Sequence, residues 1–144
     1  MDSYSKPVEV RWSDLDPNFH LRHSVYYDWG AYVRICFLSE YGLTPKVLLE
    51  NHLGPILFRE ECVFKREVVF GDEILVNVQL VRSRRDASRW SMRHEVLKNN
   101  TILAAVLNVD GAWIDTNLRK LAAPPPSVVD FYESFPKSPD FAWD

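Results

Sequence analysis

Cysteine is scarce in this sequence, with two among 144 residues, and neither has the spacing of a metal site or a disulfide framework. Both Cys36 and Cys62 lie among apolar residues, so we expect reduced thiols and a cytoplasmic protein. The first ten residues, MDSYSKPVEV, lack the apolar run of a signal peptide, and no window is long and apolar enough to span a membrane. We therefore expect no membrane association.

An excess of positive charge is also missing. With 17 Lys and Arg against 20 Asp and Glu, the formal net charge is -3. Because nucleic-acid binding usually needs a basic face, we expect no nucleic-acid partner. The four histidines are scattered and form no ligand set, so we expect no metal. What the chain does contain is apolar mass: 47% of its residues are hydrophobic and 13% aromatic, which favours a large core or a large apolar site.

The length of the chain is typical of one domain that buries about two-thirds of its unfolded surface. No repeat, linker or low-complexity block interrupts it. We interpret residues 1–144 as a single domain with a core at about 8–125 and a C-terminal arm at 126–144. The three prolines at 124–126 separate the two parts.

The central element of this domain is a predicted helix that follows Ser24 and ends before Gly42. We predict Ser24 as its N-cap and Gly42 as its stop. Gly30 lowers helix stability, which indicates a place where another backbone comes close. Apolar residues cover every direction of the helix, so we expect it to be buried on all sides. They include Val25, Tyr26, Trp29, Val33 and Phe37.

The sequence on both sides of this helix predicts strands. A short strand at 7–13 precedes it, with alternation at Val8, Val10 and Trp12. A short helix over Val47–Leu49 follows it. The later strand predictions are 56–70, 74–84, 90–96 and 102–114. The first of these four is expected to be bulged because its alternation slips, and residues 128–135 are expected to form a short helix or arm. This order predicts an α+β domain in which an antiparallel sheet of about five strands wraps around one long central helix.

Three short motifs in this order resemble those of hotdog-fold acyl thioesterases, the superfamily of the 4-hydroxybenzoyl-CoA thioesterases. RWSDLDPNFH at residues 11–20 is very similar to the RWSDLDxNxH run of plant-type acyl-ACP thioesterases. FREEC at 58–62 is similar to the YRREC strand of that family. FGDE at 70–73 is similar to a turn of bacterial acyl-CoA thioesterases. The resemblance covers about 8–125 and implies a hotdog fold with an acyl site between two subunits.

Two positions depart from the acyl-ACP pattern. Arg22 and His23 stand where that family has two asparagines. His23 instead falls where a branch of bacterial acyl-CoA thioesterases carries a catalytic histidine, seven residues after its aspartate. That branch has a tyrosine near the position of Trp12, which this chain lacks. The carrier, CoA or ACP, and the working histidine, His20 or His23, therefore stay open.

The resemblance implies a catalytic group at the start of the helix and on the following strand. Its members are Asp16, Asn18, His20, His23 and Glu61. Asp16 would attack the thioester carbonyl or activate water, and the sequence leaves both roles open. Backbone N–H groups at the helix N-terminus, near Ser24, Val25 and Tyr26, would stabilise the oxyanion.

Several neighbouring residues have other interpretations. Glu60 adjoins Glu61, and a one-residue slip of the strand would exchange the faces on which they lie. Asp14 is interpreted as a structural residue that fixes the turn. His94, on an otherwise apolar strand face, predicts a hydrogen-bonded core histidine.

Four arginines surround a predicted turn, RRDAS. They are Arg82, Arg84, Arg85 and Arg89, and we call them the arginine hairpin. Guanidinium groups suit phosphates, so they would bind the phosphates of CoA, or else they form a solvated turn. We expect no cofactor apart from CoA as part of the substrate.

These observations predict a thioester hydrolase that acts on acyl-CoA or acyl-ACP. We expect a homodimer or homotetramer, because an open sheet has edges that need covering. Two alternatives stay open. One is a hydratase or dehydratase of acyl thioesters on the same fold, which would use His20 or His23. The other is a catalytically silent acyl-binding or interaction module, since fold does not fix function.

Overall fold

Residues 3–144, which the computed structural model describes, form three α-helices and eight strands. The helices are α1 (His23–Glu40), α2 (Pro45–Glu50) and α3 (Pro126–Ser134). The strands are β1 (Ser5–Val8), β2 (Leu53–Phe64), β3 (Ile74–Asn77), β4 (Gln79–Ser83), β5 (Arg89–Lys98), β6 (Ile102–Asp115), β7 (Lys120–Leu121) and β8 (Lys137–Trp143). The predicted α+β class is confirmed. No helix in this part of the chain is long and apolar enough to cross a membrane.

The strands form one sheet in which every pairing is antiparallel except that of β8 with β4. β2 pairs with β6, and β6 pairs with β5. β3 and β4 both pair with β5 and form one strand path that is interrupted at Val78. β1 pairs with β3, and β8 pairs with β4, so that β1 and β8 together form one edge of the sheet. At the opposite edge lies β2, whose strand neighbour within residues 3–144 is β6 alone.

The long central helix was correctly predicted, and it packs against one face of the sheet. Val33 and Phe37 of α1 are almost fully buried, together with His94 of β5 and Leu107 of β6 beneath them. Gly30 lies where a Cβ atom would come within 3.2 Å of the His94 ring and 3.4 Å of the Leu107 side chain. The close approach is therefore made by side chains and not, as predicted, by another backbone.

One face of α1 stays uncovered in the single chain, so the prediction of burial on all sides is wrong. Asp28, Ala31 and Tyr32 are exposed, and Ile35 is partly exposed. These positions are three or four residues apart and share a stripe of the helix. The sheet of one chain covers the opposite side only.

Two predictions before and at the start of α1 are wrong for local reasons. The chain leaves β1 after Val8, and residues 12–14 form a 3-10 helix that leaves Trp12 71% exposed. The cause is Asp14, whose carboxylate turns back to accept the Arg11 backbone N–H at 2.9 Å. Ser24 lies inside α1 and is not the N-cap, because its hydroxyl accepts a hydrogen bond from Arg22 Nε at 2.9 Å. The N-cap residue is Arg22.

Two further differences concern the strands. The predicted bulge in the long strand is found between Leu57 and Arg59, but the strand ends at Phe64 and does not reach residue 70. The C-terminal arm contains α3, as expected, and also β8, which was not predicted. β8 includes Pro139 and lacks a strict alternation, so its sequence gives little strand signal.

The interruption at Val78 is held by His94 and Asn77. Nδ1 of His94 lies 2.8 Å from the Asn77 carbonyl oxygen. The Asn77 side chain accepts the Glu95 N–H at 2.6 Å and so replaces a backbone ladder bond. On its other side, His94 Nε2 lies 2.9 Å from an Arg34 guanidinium nitrogen, which must donate to it. The predicted hydrogen-bonded core histidine is confirmed. Burial, with a smaller effect from Arg34, lowers the pKa of His94 to about 3.

This shift makes stability depend on pH. Below the ordinary histidine pKa of 6.5, the unfolded chain binds a proton that the folded chain excludes until about pH 3. Folding stability is therefore complete above pH 6.5 and falls as pH falls below it. Between pH 7 and pH 5 the His94 contribution amounts to about 2 kcal/mol. We expect urea unfolding of the wild type to lose about this much more free energy between the two pH values than unfolding of His94→Gln. An equal loss in both proteins would contradict a neutral buried His94.

Candidate active site

A buried carboxylate fixes the turn before α1. Asp14 is 1% exposed and accepts hydrogen bonds from the Arg11 backbone N–H at 2.9 Å and from Arg11 Nη2 at 2.8 Å. These bonds to Arg11 lower the pKa of Asp14 below its ordinary value. The Asp14 carbonyl accepts the Arg22 N–H at 2.7 Å, which ties the turn to the start of the helix. Asp14 is thus structural, as its sequence context predicted.

The turn that follows holds the carboxylate of Asp16. The Asp16 N–H donates to the His20 carbonyl at 2.9 Å, and the Phe19 N–H donates to the Asp16 carbonyl at 3.0 Å. Phe19 closes this tight turn with a φ of 62°. Oδ1 of Asp16 accepts the Asn18 backbone N–H at 2.8 Å, while Oδ2 lies 3.2 Å from His20 Nδ1. Both oxygens are therefore held in place, although the side chain keeps 21% of its surface exposed.

Asp16 opens into a cavity of about 410 Å³, which we call the Asp16 cavity. Its walls come from the turn, the first residues of α1 and the chain after β2. The lining residues are Asp16, His20, Leu21, His23, Tyr26, Phe64, Lys65, Arg66 and Glu67. The structure thus brings together Asp16, His20 and His23 of the predicted group. Asn18 touches the site through its backbone N–H and does not line the cavity with its side chain.

The N-terminus of α1 faces the same cavity. His23 is the first residue of the helix. The Val25 N–H already donates to the Arg22 carbonyl at 3.0 Å. Within residues 3–144, no acceptor takes the N–H groups of His23 and Ser24. Of the amides expected to bind the oxyanion, that of Ser24 is free to do so and that of Val25 is not. Two free amides and the positive end of an 18-residue helix favour negative charge at this position.

An aromatic pair forms the apolar wall of the cavity. Tyr26 is 3% exposed, and its ring lies edge-on to Phe64, with centroids 5.1 Å apart. Burial raises the pKa of Tyr26 to about 12, so its hydroxyl keeps its proton at neutral pH. The role predicted for Tyr26 was a backbone one, which stays a prediction, whereas its ring contributes to the wall of the cavity.

The sequence did not identify the end of β2 and the residues after it as part of the site. Phe64, Lys65, Arg66 and Glu67 line the cavity, whereas residues 56–70 were predicted to continue as one strand. The N–H groups of Lys65 and Arg66 both donate to the Ala104 carbonyl, at 2.8 and 3.0 Å, and this shared acceptor turns the chain out of the sheet. The adjacent Lys65 and Arg66 were the sequence signal that could have indicated the end of the strand and its place in the site.

The arrangement offers the parts of an acyl-transfer site. A fixed carboxylate can act as base or nucleophile, a histidine lies beside it, and free amides at a helix N-terminus can stabilise an oxyanion. The model of the thioesterase-like superfamily matches residues 10–131. The chain belongs to this superfamily. The resemblance found in the sequence is therefore confirmed.

Solved structures resemble most of this thioesterase-like chain. A thioesterase from Thermus thermophilus, complexed with coenzyme A and Zn, is 28% identical over 88% of each chain, with a TM-score of 0.73. A Staphylococcus aureus protein in complex with CoA is 19% identical over 95% of this chain and 88% of its own, with a TM-score of 0.85. A 1,4-dihydroxy-2-naphthoyl-CoA thioesterase from Synechocystis is 18% identical over 88% of this chain and 92% of its own, with a TM-score of 0.78. The predicted hotdog fold is confirmed. No curated protein sequence matches the chain.

The two glutamates of β2 point to opposite faces of this thioesterase-like sheet. Glu61 pairs in register with Asn108 and lies 3.2 Å from its side-chain nitrogen, on the face away from α1. Glu60 lies on the α1 side, 3.8 Å from Arg34. Neither residue lines the Asp16 cavity of its own chain. The catalytic role of Glu61 stays a prediction.

The arginine hairpin lies far from the Asp16 cavity within one chain. Phe64, at the cavity, is in register with Ala105 and thereby with Val96 of β5. Arg89 stands seven residues away from Val96 along β5, which corresponds to about 23 Å. Several hairpin side chains also have partners within the chain. Arg82 forms an ion pair with Asp144, and the guanidinium groups of Arg85 and Arg89 lie over the rings of Trp143 and Phe58.

Among residues 3–144, no three His, Cys, Asp or Glu side chains form a group that could hold a metal ion. Both cysteines are free thiols.

Proposed function

We propose that this protein hydrolyses acyl-CoA thioesters to a free acid and CoA. The observation that carries the proposal is the Asp16 carboxylate, which is fixed by the Asn18 N–H and faces His20 at 3.2 Å at the N-terminus of α1. CoA is favoured over ACP as the carrier because CoA is bound in two of the similar structures, those from S. aureus and T. thermophilus.

Asp16 can begin the reaction in either of two ways. As a general base it takes a proton from water while the water oxygen bonds to the thioester carbonyl carbon. As a nucleophile it bonds to that carbon itself, and the resulting anhydride is then hydrolysed by water. In both cases the C–S bond breaks and CoA leaves as a thiolate, which takes up a proton. Each course requires an ionised carboxylate at position 16.

The helix N-terminus stabilises the charge that develops on the carbonyl oxygen. The free amides of His23 and Ser24 can donate to this oxygen, and the aligned peptide dipoles of α1 add to their effect. His20 orients the Asp16 carboxylate through its Nδ1. His23, which also lines the cavity, is the second histidine that can contact the substrate.

Replacement of Asp16 tests the proposed function. Asp16→Asn should lower the turnover number for thioester hydrolysis at least about a hundredfold, because it removes the base or nucleophile. The measurement is thiol release from a panel of acyl-CoA substrates. Asp130→Asn, which removes an exposed carboxylate of α3 away from the Asp16 cavity, is the matched control and should retain activity. Near-normal turnover in Asp16→Asn with an unchanged melting temperature would show that Asp16 is only a turn residue.

The histidines are compared in the same assay. His20→Ala and His23→Ala, made in parallel, identify the working histidine as the one whose loss lowers turnover more. A panel without any hydrolysis would favour the catalytically silent acyl-binding alternative. Hydration of an enoyl-CoA, measured as the loss of its ultraviolet absorbance, would favour the hydratase alternative.

We further propose that two chains pair along β2. This strand is an open edge of 12 residues and carries exposed apolar side chains, including Leu57, Val63 and Phe64. Open edges of this length readily pair with other strands. A two-fold axis near the middle of β2 would set residues 55–57 of one chain beside residues 62–64 of its partner. The same pairing would cover the exposed stripe of α1.

Such a dimer should be visible in sedimentation equilibrium at micromolar concentration, with twice the 16.8 kDa of one chain. Val63→Lys places a charge in the edge of each chain and should shift the protein towards monomer and lower its activity. Leu118→Lys, at an exposed apolar position in the turn between β6 and β7, is the control and should change neither property. A wild-type monomer with full activity would contradict the shared arrangement.

The dimer also brings two cationic groups towards one substrate. Lys65 and Arg66 line the Asp16 cavity and make no ion pair within residues 3–144. The arginine hairpin of the partner would lie at the same end of the joined sheet, since the two β2 strands run in opposite directions. Both groups are candidates for binding the phosphates of CoA.

Two double variants, each of which removes two positive charges, compare these groups: Arg84→Gln with Arg85→Gln, and Lys65→Gln with Arg66→Gln. Replacement of the pair that binds phosphate should raise the KM for acyl-CoA with little change in turnover, because the lost contact is the same in ground and transition states. It should have little effect on an acyl-pantetheine, which lacks the nucleotide. Equal losses on both substrates would mean that the pair supports the fold and does not bind the carrier.

A further inference from the structure

A second pocket, separate from the Asp16 cavity, lies between the C-terminal half of α1 and the sheet. Its volume is about 240 Å³, and apolar side chains form nearly all of its wall. We call it the apolar pocket. Ile35 of α1 and Met92 of β5 lie on opposite sides of it. Nothing in the proposed chemistry at Asp16 uses this space.

The pocket is open at one end and closed at the other. Leu57, at the β2 edge, is 43% exposed and marks the open end. Trp113, Tyr132 and Phe135 are at most 2% exposed and form the closed end. The open end therefore faces the strand edge at which the proposed partner chain would lie. In that dimer it would stand beside residues 62–64 of the partner and hence near the partner's Asp16 cavity.

The charged residue in the wall is Arg34, and its guanidinium is held to the side. It donates to His94 Nε2 at 2.9 Å and lies 3.8 Å from the Glu60 carboxylate. Its side chain is 13% exposed, and burial lowers its pKa below the ordinary arginine value. Arg34 thus lines the pocket without filling it, and the remaining wall suits a hydrocarbon.

Helix α3 closes the inner end. The Trp113 indole N–H donates to the Tyr132 hydroxyl at 3.2 Å, which fixes Tyr132 to β6. The Phe135 ring packs against Phe37 of α1, with centroids 4.4 Å apart. The helix is held further by β8, which follows it and pairs with β4. The superfamily model ends at residue 131, so both closing residues lie beyond the matched region.

We infer that the apolar pocket receives the acyl chain of the substrate, and that Tyr132 and Phe135 limit the length of this chain. This rests on the proposed thioesterase function and gives it a substrate class, that of medium-chain acyl groups. A cavity of about 150 Å³ binds benzene, with six carbons. By the same ratio, the apolar pocket accommodates about ten carbons. Longer chains meet the rings of Tyr132 and Phe135.

The test measures kcat/KM for saturated acyl-CoA substrates of four to sixteen carbons. For the wild type we expect an increase with each added carbon up to about ten, of up to about fourfold per methylene, followed by a decrease. Phe135→Ala should move the maximum to chains at least two carbons longer. Phe131→Ala, in α3 but outside the pocket wall, is the matched control and should leave the maximum in place.

A second variant protects the test against misfolding of Phe135→Ala. Ile35→Phe adds volume inside the pocket without opening a core cavity, and it should move the maximum to shorter chains. Activity towards short substrates should persist in both variants because Asp16 is unchanged. A length profile that is the same in the wild type, Phe135→Ala and Ile35→Phe would overturn the inference and leave the thioesterase function standing.

A binding measurement separates the two proposals if no hydrolysis is detected. Trp90 and Trp113 line the pocket, so a fatty acid brominated near its methyl end should quench their fluorescence on binding. We expect quenching by chains of eight to ten carbons that is lost with sixteen carbons and restored by Phe135→Ala. This result without hydrolysis would support the pocket and overturn the thioesterase proposal. If no chain length quenches the fluorescence, the assignment of the pocket is overturned.

Discussion

The structure depends on one packing constraint, which is that α1 is apolar around most of its circumference whereas a sheet can cover only one side of a helix. The sheet buries Val33 and Phe37, and the C-terminal helix adds cover at one end through Phe135. A stripe around Asp28, Ala31 and Tyr32 remains uncovered. The same constraint explains Gly30, because the helix approaches His94 so closely that a side chain there would force the neighbours apart. The proposed pairing of two chains follows from this uncovered stripe and from the open edge at β2.

Conversely, the chemistry at the start of α1 depends on a few polar bonds and little on packing. Asp14 is buried, whereas Asp16, two residues later, is partly exposed and is held in place by hydrogen bonds. The carboxylate of the first closes a turn with Arg11, and the carboxylate of the second accepts the Asn18 amide. Two aspartates in one short motif thus have different environments and hydrogen-bond partners. The helix N-terminus contributes free amides because Arg22 caps it without a side-chain bond to the helix backbone.

The sequence predicted the parts that strong local patterns determine. The central helix, the bulged strand, the core histidine and the structural role of Asp14 follow from periodicity, alternation and the chemistry of single residues. It did not predict that Trp12 would be exposed or that Ser24 would lie inside the helix. The first depends on the Asp14 carboxylate that accepts the Arg11 N–H, and the second on the Arg22 side chain that donates to Ser24. Likewise, Lys65 and Arg66 join the site only because their amides share the Ala104 carbonyl, a contact between residues far apart in sequence. The pairing of β8 with β4 has the same character, since the short segment around Pro139 carries almost no strand pattern.

The attachment of α3 at both ends has a consequence for how such a protein can diversify. The helix is joined to β6 by the Trp113–Tyr132 hydrogen bond and to the far side of the sheet by β8. The proposed catalytic groups lie within residues 16–26, whereas Tyr132 and Phe135, at the closed end of the apolar pocket, lie after residue 131. Changes in the last segment can therefore accumulate without disturbing the turn that holds Asp16. Sequence variation after residue 131 would thus alter the proposed limit on chain length and leave the proposed reaction centre as it is.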